Sequence, residues 1–311
     1  MGRLLNVMKV IIITPVRNEG KYIDICINCM LRQTYLPYKW IIVNDGSRDD
    51  TENIVLKYSK KYEFIKYIKV PDRGYRLPGK GVIDTFYVGY ETIKDEEFDL
   101  IAKFDGDLSF PEDMMEKIVN AFREDPTLGI TGGVRYDLVR DNCFRKVIVP
   151  EYYVGGPTKF YRKECFRAIN GLITRAGWDG VDVVRAQKEK WKTGEIQNLI
   201  INHLRPTGTA SGEGIKKASL KYGDASYHMG GYFWYFMLRV IGRAVYNKSP
   251  EMFYYMFKGY LSSKYNKFPQ EDEDFRDYMK LIQIDNMKGY INQVFNRKIF
   301  AIKNVKIINT I

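Results

Sequence analysis

Two β-branched runs about thirty residues apart, each closed by a polar turn, constrain this chain more than any other feature. Lys9-Val10-Ile11-Ile12-Ile13-Thr14-Pro15-Val16 is the first, and Trp40-Ile41-Ile42-Val43-Asn44-Asp45-Gly46 is the second. Unbroken apolar runs of this length predict strands covered on both faces, the pattern of a parallel sheet. Between them residues 19–33 carry apolar positions at helical spacing, and Asp50-Thr51-Glu52 opens a further helix with acid in its first turn. A third run, Leu100 to Phe104, ends at Asp105-Gly106-Asp107, and Pro111-Glu112-Asp113 starts the next helix. The β-α-β-α order predicts an open α/β sheet whose ligands gather beyond the carboxyl ends of its strands. Three strand ends then deliver Thr14 to Glu19, Asp45 to Ser47 and Asp105 to Asp107 to one edge.

The chain has 311 residues, enough for one large domain and an appendage. A boundary falls near 210, separating an α/β domain over 1–210 from a helical, aromatic-rich region over 211–311. In the latter, 16 Lys and Arg against 9 Asp and Glu place +7 of the net charge of +11. Such a balance attracts anions: a nucleotide, a nucleic acid or an acidic membrane surface. Four cysteines, Cys26, Cys29, Cys143 and Cys165, are too few for a disulfide framework and read as reduced core residues of a cytosolic protein. No run reaches the roughly 18 apolar residues of a spanning helix, and the N-terminal run is a strand closed by proline rather than a signal peptide.

The first strand-to-helix turn reads Thr14-Pro15-Val16-Arg17-Asn18-Glu19-Gly20. It lacks the glycines with which a backbone approaches a pyrophosphate, which argues against a dinucleotide fold, and no phosphate-binding lysine loop follows any strand. Asp105-Gly106-Asp107 sets two carboxylates one residue apart at a strand end, an arrangement that shares a hard divalent cation.

Taken together, Thr14 to Glu19, Val43-Asn44-Asp45-Gly46-Ser47-Arg48-Asp49-Asp50-Thr51 and Asp105-Gly106-Asp107 resemble, in order and spacing, the family 2 inverting glycosyltransferases of the GT-A fold. The resemblance runs over roughly 9–205. It implies a Rossmann-like, mostly parallel sheet flanked by helices, a nucleotide-diphosphate-sugar donor, and Mn²⁺ or Mg²⁺ held by the D-x-D motif. Carried over by position, Thr14, Pro15, Arg17 and Glu19 belong to the nucleotide pocket, Asp45 accepts from the base, and Asp105 sits near ribose and metal. Asp107 is the main metal ligand. Lys80, in Pro78-Gly79-Lys80-Gly81, falls where related enzymes place a cation near the pyrophosphate. His203 approaches the metal or diphosphate, and Arg205 pairs with donor phosphates on the same loop.

Inverting transfer needs a carboxylate to take the acceptor proton. In Gly177-Trp178-Asp179-Gly180-Val181-Asp182 the resemblance gives that role to Asp182, with Asp179 as competitor and helix capping as the plain alternative for either. Gly155-Gly156-Pro157-Thr158-Lys159-Phe160-Tyr161-Arg162 resembles the strand and loop that face the acceptor in this family, its two glycines allowing close approach of a sugar, and Trp178 either stacks on a sugar or packs in the core. Tyr232 to Arg243 and Met252 to Leu261 read as aromatic helices that contact an anionic membrane, cap the catalytic domain or form a homodimer.

The expected protein is therefore a transferase acting on a glycan or lipid-linked acceptor in cell-surface polysaccharide or glycoconjugate synthesis. It is expected in the cytoplasm, peripheral on the inner face of the cell membrane. A UDP-sugar is the first candidate donor, with GDP- or dTDP-sugars as alternatives. A sugar nucleotidyltransferase is the alternative reading, weakened because residues 14–20 form no glycine-rich basic loop. A nucleic-acid partner is not expected, since no recognisable RNA or DNA motif accompanies the charge.

Overall fold

A computed structural model describes residues 7–74, 79–140, 143–205 and 214–295. The elements alternate as the apolar runs require: β1 (Val10–Val16), α1 (Ile23–Leu31), β2 (Lys39–Asp45), α2 (Thr51–Lys61), β3 (Ile65–Val70), α3 (Lys80–Glu91) and β4 (Leu100–Phe104). There follow β5 (Leu108–Ser109), α4 (Met114–Glu124), β6 (Leu128–Arg140), β7 (Cys143–Lys146), β8 (Thr158–Arg162), α5 (Lys163–Ala168), α6 (Trp178–Lys188) and β9 (Lys192–His203). Four helices complete the chain: α7 (Gly214–His228), α8 (Phe233–Tyr246), α9 (Pro250–Tyr265) and α10 (Glu273–Phe295).

One mixed sheet runs β3-β2-β1-β4-β8-β6-β9-β5, with β7 beside β6. Its first four strands are parallel, so their carboxyl ends share an edge, as the sequence predicts for β1, β2 and β4 but not for β3. Strand β8 then enters antiparallel between β4 and β6. Because of that reversal, Thr158 at the start of β8 lies opposite Phe104 at the end of β4.

Alternate residues of β1 and β2 feed the two faces. Ile12, Trp40 and Ile42 pack with α1 and α4, whereas Ile11, Ile13, Ile41 and Val43 pack with Ile83 and Phe86 of α3 and Val183 of α6. All four cysteines are free thiols.

The C-terminal helices are packed onto the α/β part rather than strung from it. Phe275 and Met279 of α10 bury against Val181 and Val184 of α6. Helices α7 and α9 cross backbone to backbone at Gly223, where a Cβ would lie 2.0 Å from the Met256 carbonyl oxygen. Among the described residues no helix is long and apolar enough to cross a membrane.

Candidate active site

The first two strand-to-helix loops lock onto each other. Asn18, with φ of 56°, receives the Arg48 N–H on its side-chain oxygen and donates its own N–H to Ser47. The Glu19 N–H donates to the Thr51 hydroxyl at 2.8 Å, and the Gly20 N–H to Asp49 at 2.8 Å. These bonds tie the turn after β1 to the cap of α2, and Arg17 in that turn reaches Asp45.

Arg17 donates to the Asp45 carbonyl and pairs with Asp72 at 2.7 Å, while Arg73 pairs with the Asp45 carboxylate. A buried acceptor carboxylate flanked by two guanidinium groups is therefore built at the end of β2. Arg73 and Asp72 lie beyond the motifs, and no local pattern marks them.

The sharpest cluster lies at the end of β4. Asp105, Asp107 and His203 each offer a ligand atom, and these atoms all lie within 4.8 Å of one another. The His203 Nε2 is 3.0 Å from Asp107 Oδ2. Its position follows from the two-residue strand β5, whose Leu108 is the register partner of His203 at the end of β9. Arg205 pairs with both Asp107 and Glu19, closing the cluster from above. Below it the Lys103 ammonium, on a strand that is otherwise apolar, pairs with Asp105 and donates to the Gly156 carbonyl at 3.1 Å.

The charges of these groups depend on each other. Burial opposes the Asp107 carboxylate, yet His203 and Arg205 outweigh it and hold the carboxyl well below its ordinary range. Burial likewise opposes a charged His203, but the hydrogen bond to Asp107 and the nearby carboxylates of Asp137 and Asp105 push it up to about 9. Two carboxylates and an imidazole form a hard, partly borderline donor set that suits Mn²⁺ or Mg²⁺. The residues present therefore fit a divalent cation.

A second carboxylate group lies at the N-terminus of α6. Asp182 is 1% exposed, and its oxygens accept from Lys159 at 2.7 and 2.8 Å, from the Tyr161 hydroxyl at 2.5 Å and from the Val183 N–H. Burial pushes its carboxyl up, against the pull of Lys159. An acceptor hydroxyl finds no free approach to such a group, so the expectation that Asp182 takes the proton does not suit the geometry. Asp179 is half-buried and accepts from the Tyr153 hydroxyl at 2.6 Å. Its backbone carbonyl holds the same Lys159 ammonium at 2.6 Å. Gly156 packs beneath it, since a Cβ there would lie 3.3 Å from that of Asp179.

Other expectations move. Thr14 is fully buried and its hydroxyl accepts from the Trp40 indole at 2.8 Å, so it serves the core under the cleft rather than the cleft itself. Trp178 is buried, with the ammonium groups of Lys103 and Lys159 over its ring at 5.2 and 5.4 Å, which selects core packing over sugar stacking. Lys80 is exposed and pairs with Asp84 one turn along α3. The loop segments 75–78 and 206–213, which flank Lys80 and Arg205, lie outside the described residues. Lys159 and Tyr161 lie in the 155–162 segment expected to face the acceptor, and both instead hold Asp182, whereas Lys103 and Tyr153 escaped the sequence reading. The only local signal for the lysines is a charged residue inside an apolar run.

With this geometry in view, comparison with known proteins gives a consistent answer. Residues 11–175, just over half the chain, match the model of "Glycosyl transferase family 2". A chondroitin synthase of Pasteurella multocida (strain Pm70) is 28% identical over 126 residues, 40% of this chain and 12% of that protein. An uncharacterised glycosyltransferase of Rickettsia prowazekii (strain Madrid E), RP339, is 48% identical over 50 residues, 16% of each. The chain thus spans less than a fifth of the length of either relative. Among solved structures, the mannosyltransferase PcManGT from Pyrobaculum calidifontis, in complex with GDP-Man and Mn²⁺, aligns with a TM-score of 0.52 at 12% identity. That alignment covers 94% of this chain and 88% of PcManGT, which shows a shared GT-A fold. The chain belongs to glycosyl transferase family 2.

Proposed function

We propose that this chain is a metal-dependent inverting glycosyltransferase that moves a sugar from a nucleoside-diphosphate donor to a hydroxyl of a glycan or lipid-linked acceptor, in the synthesis of cell-surface polysaccharide or glycoconjugate. The convergence of Asp105, Asp107 and His203 carries the reading, with the half-buried Asp179 standing apart on α6. Asp45 accepts from the donor base, with Arg17 and Arg73 fixing the carboxylate, and a UDP-sugar is the first candidate, ahead of GDP- or dTDP-sugars. GDP-Man and Mn²⁺ in PcManGT support a nucleotide sugar and a divalent ion as the ligand classes.

Asp105, Asp107 and His203 would hold the cation, which supplies charge compensation for a departing diphosphate. Arg205 gives up its pairing with Asp107 and Glu19 and turns to the donor phosphates. The acceptor oxygen forms its bond to the anomeric carbon as the bond from that carbon to the diphosphate oxygen breaks, and Asp179 takes the acceptor proton. The Tyr153 hydroxyl aims the Asp179 carboxylate, and Lys159 anchors the turn that carries it.

We place the enzyme in the cytoplasm at the inner face of the cell membrane. Trp234, Leu238, Ile241 and Val245, spaced 4, 3 and 4 residues apart on α8, are all 44–73% exposed, and the region is basic. Flotation with anionic vesicles tests this placement. Dimers that dissolve on substituting these four residues, without flotation, would replace it with a homodimer.

Thermal-shift titration with UDP, GDP, dTDP and CDP, with and without Mn²⁺, tests the activity class. A nucleotide at a hundredfold over its dissociation constant adds about 2.7 kcal/mol of stability. The expected result is a Mn²⁺-dependent shift with one nucleotide that is lost in Asp107→Ala. A shift that survives in Asp107→Ala would remove the metal from the reading, and none with any nucleotide would remove the donor.

A further inference from the structure

His203 is reached only because strand β9 changes register. From Ile130 to Gly133, β6 pairs with β9 at a constant offset: Ile130 with Thr193, and Gly133 with Ile196. Continued at that offset, Asp137 would face Ile200. Instead the register shifts between Gly133 and Val134, so that Val134 pairs with Ile200 and Asp137 with His203. The irregularity needs close backbone approach, because a Cβ on Gly133 would lie 2.4 Å from an Ile201 side-chain carbon and 2.9 Å from the Leu199 carbonyl oxygen. Partners across a parallel pair share a face of the sheet. The shift therefore brings an aspartate alongside the one imidazole of the cluster.

The contacts agree with the register. Asp137 Oδ1 lies 3.4 Å from His203 Nδ1, the ring nitrogen that faces away from Asp107, within ion-pair range and short of hydrogen-bond geometry, and that nitrogen is buried with no hydrogen-bond partner among the described residues. Arg135 Nε lies 3.0 Å from the same carboxylate oxygen. Both partners are largely buried, with side chains 17% and 11% exposed. In the structure Nε2 faces Asp107 as a donor at 3.0 Å. Where a cation takes the place of that proton, a carboxylate that keeps the Nδ1 proton fixes the direction of the Nε2 lone pair toward the position between Asp105 and Asp107.

We propose that Asp137 is a positioning residue for the cation site: it holds the His203 ring so that Nε2 serves as the third ligand, and Arg135 holds Asp137 in turn. The inference rests on the metal reading of Asp105, Asp107 and His203 and adds a residue that lies in none of the motifs.

The test measures Mn²⁺ binding to the full chain, without donor, from the free-ion electron paramagnetic resonance signal. Asp137→Asn is expected to weaken binding roughly tenfold to a hundredfold. His203→Ala should weaken it comparably, and the double variant should be no weaker than His203→Ala alone, since both act through one ligand. Asp137→Glu should recover part of the affinity. In case Asp137→Asn unfolds, ¹⁵N spectra of the unsubstituted chain with Mg²⁺ read the His203 tautomer directly. There are only two histidines to assign. A proton on Nδ1 is expected, and a proton on Nε2 overturns the inference.

Asp137→Asn with unchanged Mn²⁺ affinity, alongside a weakened His203→Ala, overturns the inference and leaves the metal site standing. Unchanged affinity in both His203→Ala and Asp107→Ala overturns the metal reading and this inference with it.

Discussion

Asp179 and Asp182 lie one turn apart on the same helix, and their surroundings assign them opposite work. Asp182 compensates Lys159, a fully buried ammonium. Removing one member of such a pair leaves the other charge in an apolar interior, at a cost of about 3–5 kcal/mol. Asp182→Asn retains some hydrogen bonding, so a loss near the lower end, about 3 kcal/mol, is expected by chemical denaturation. Asp179 carries no comparable burden. Asp179→Asn should keep the melting temperature and donor affinity of the parent while kcat falls roughly 10²- to 10⁴-fold. A stable, inactive Asp182→Asn beside an active Asp179→Asn would return the proton to Asp182. The same pair shows what a sequence reading can reach. Asp45, Asp105 and Asp107 sit in turns fixed by their own strands and were legible from local pattern. The ranking of Asp179 and Asp182 depends on Lys159 and Tyr161, about twenty residues away on a strand whose antiparallel entry no local pattern reveals.

Among the elements, α6 is the one on which both halves of the chain act. Its N-terminus presents Asp179, and its far end is fixed by Arg185, which pairs at 2.7 Å with Glu271 in the segment before α10. Glu271 also faces His228 of α7 at 2.9 Å, and Arg175, just before α6, reaches the same histidine at 3.0 Å and Asp224 at 3.1 Å. Burial opposes the Glu271 charge, but His228 and Arg185 prevail and hold its pKa below the ordinary glutamate value. A depressed folded-state value means that the stabilisation is complete above about pH 4.3, the unfolded value, and fades as pH falls through the folded one. Glu271→Gln should therefore cost about 2 kcal/mol at pH 7. Melting curves from about pH 7 down to about pH 2.5 should show the gap between parent and variant holding above about pH 4.3 and closing below it. A gap that stays constant would place the contribution of Glu271 in packing rather than charge. Aromatic patterning announced a helical region after residue 210 and, within it, α8 and α9 rather than the α7 and α10 of this junction. It gave no hint that their polar residues would meet α6, because those contacts join residues 40 to 90 apart.

At the scale of the whole molecule, the composition change near residue 210 marks a change of architecture, but the buried contacts run straight across it. Phe275 and Met279 of α10 share a cluster with Val181 and Val184 of α6, and the Arg185–Glu271 and Arg175–Asp224 pairs join the same two regions. Fully burying an apolar side chain of this size contributes roughly 1.5–3 kcal/mol, so four of them amount to a large part of the 5–15 kcal/mol that typically separates folded from unfolded domains. Neither region can open without exposing that surface on the helix that carries Asp179. The chain should accordingly unfold in one cooperative step, with calorimetric and van't Hoff enthalpies equal within error. Asp179 would then lose its placement at the same temperature at which the C-terminal helices melt, so loss of activity on heating should coincide with the loss of far-ultraviolet helical signal. Two resolved transitions, with residues 1–210 retaining their nucleotide-dependent stabilisation after the first, would instead mean that the α/β part stands alone and that the helices after residue 210 are an attachment to it.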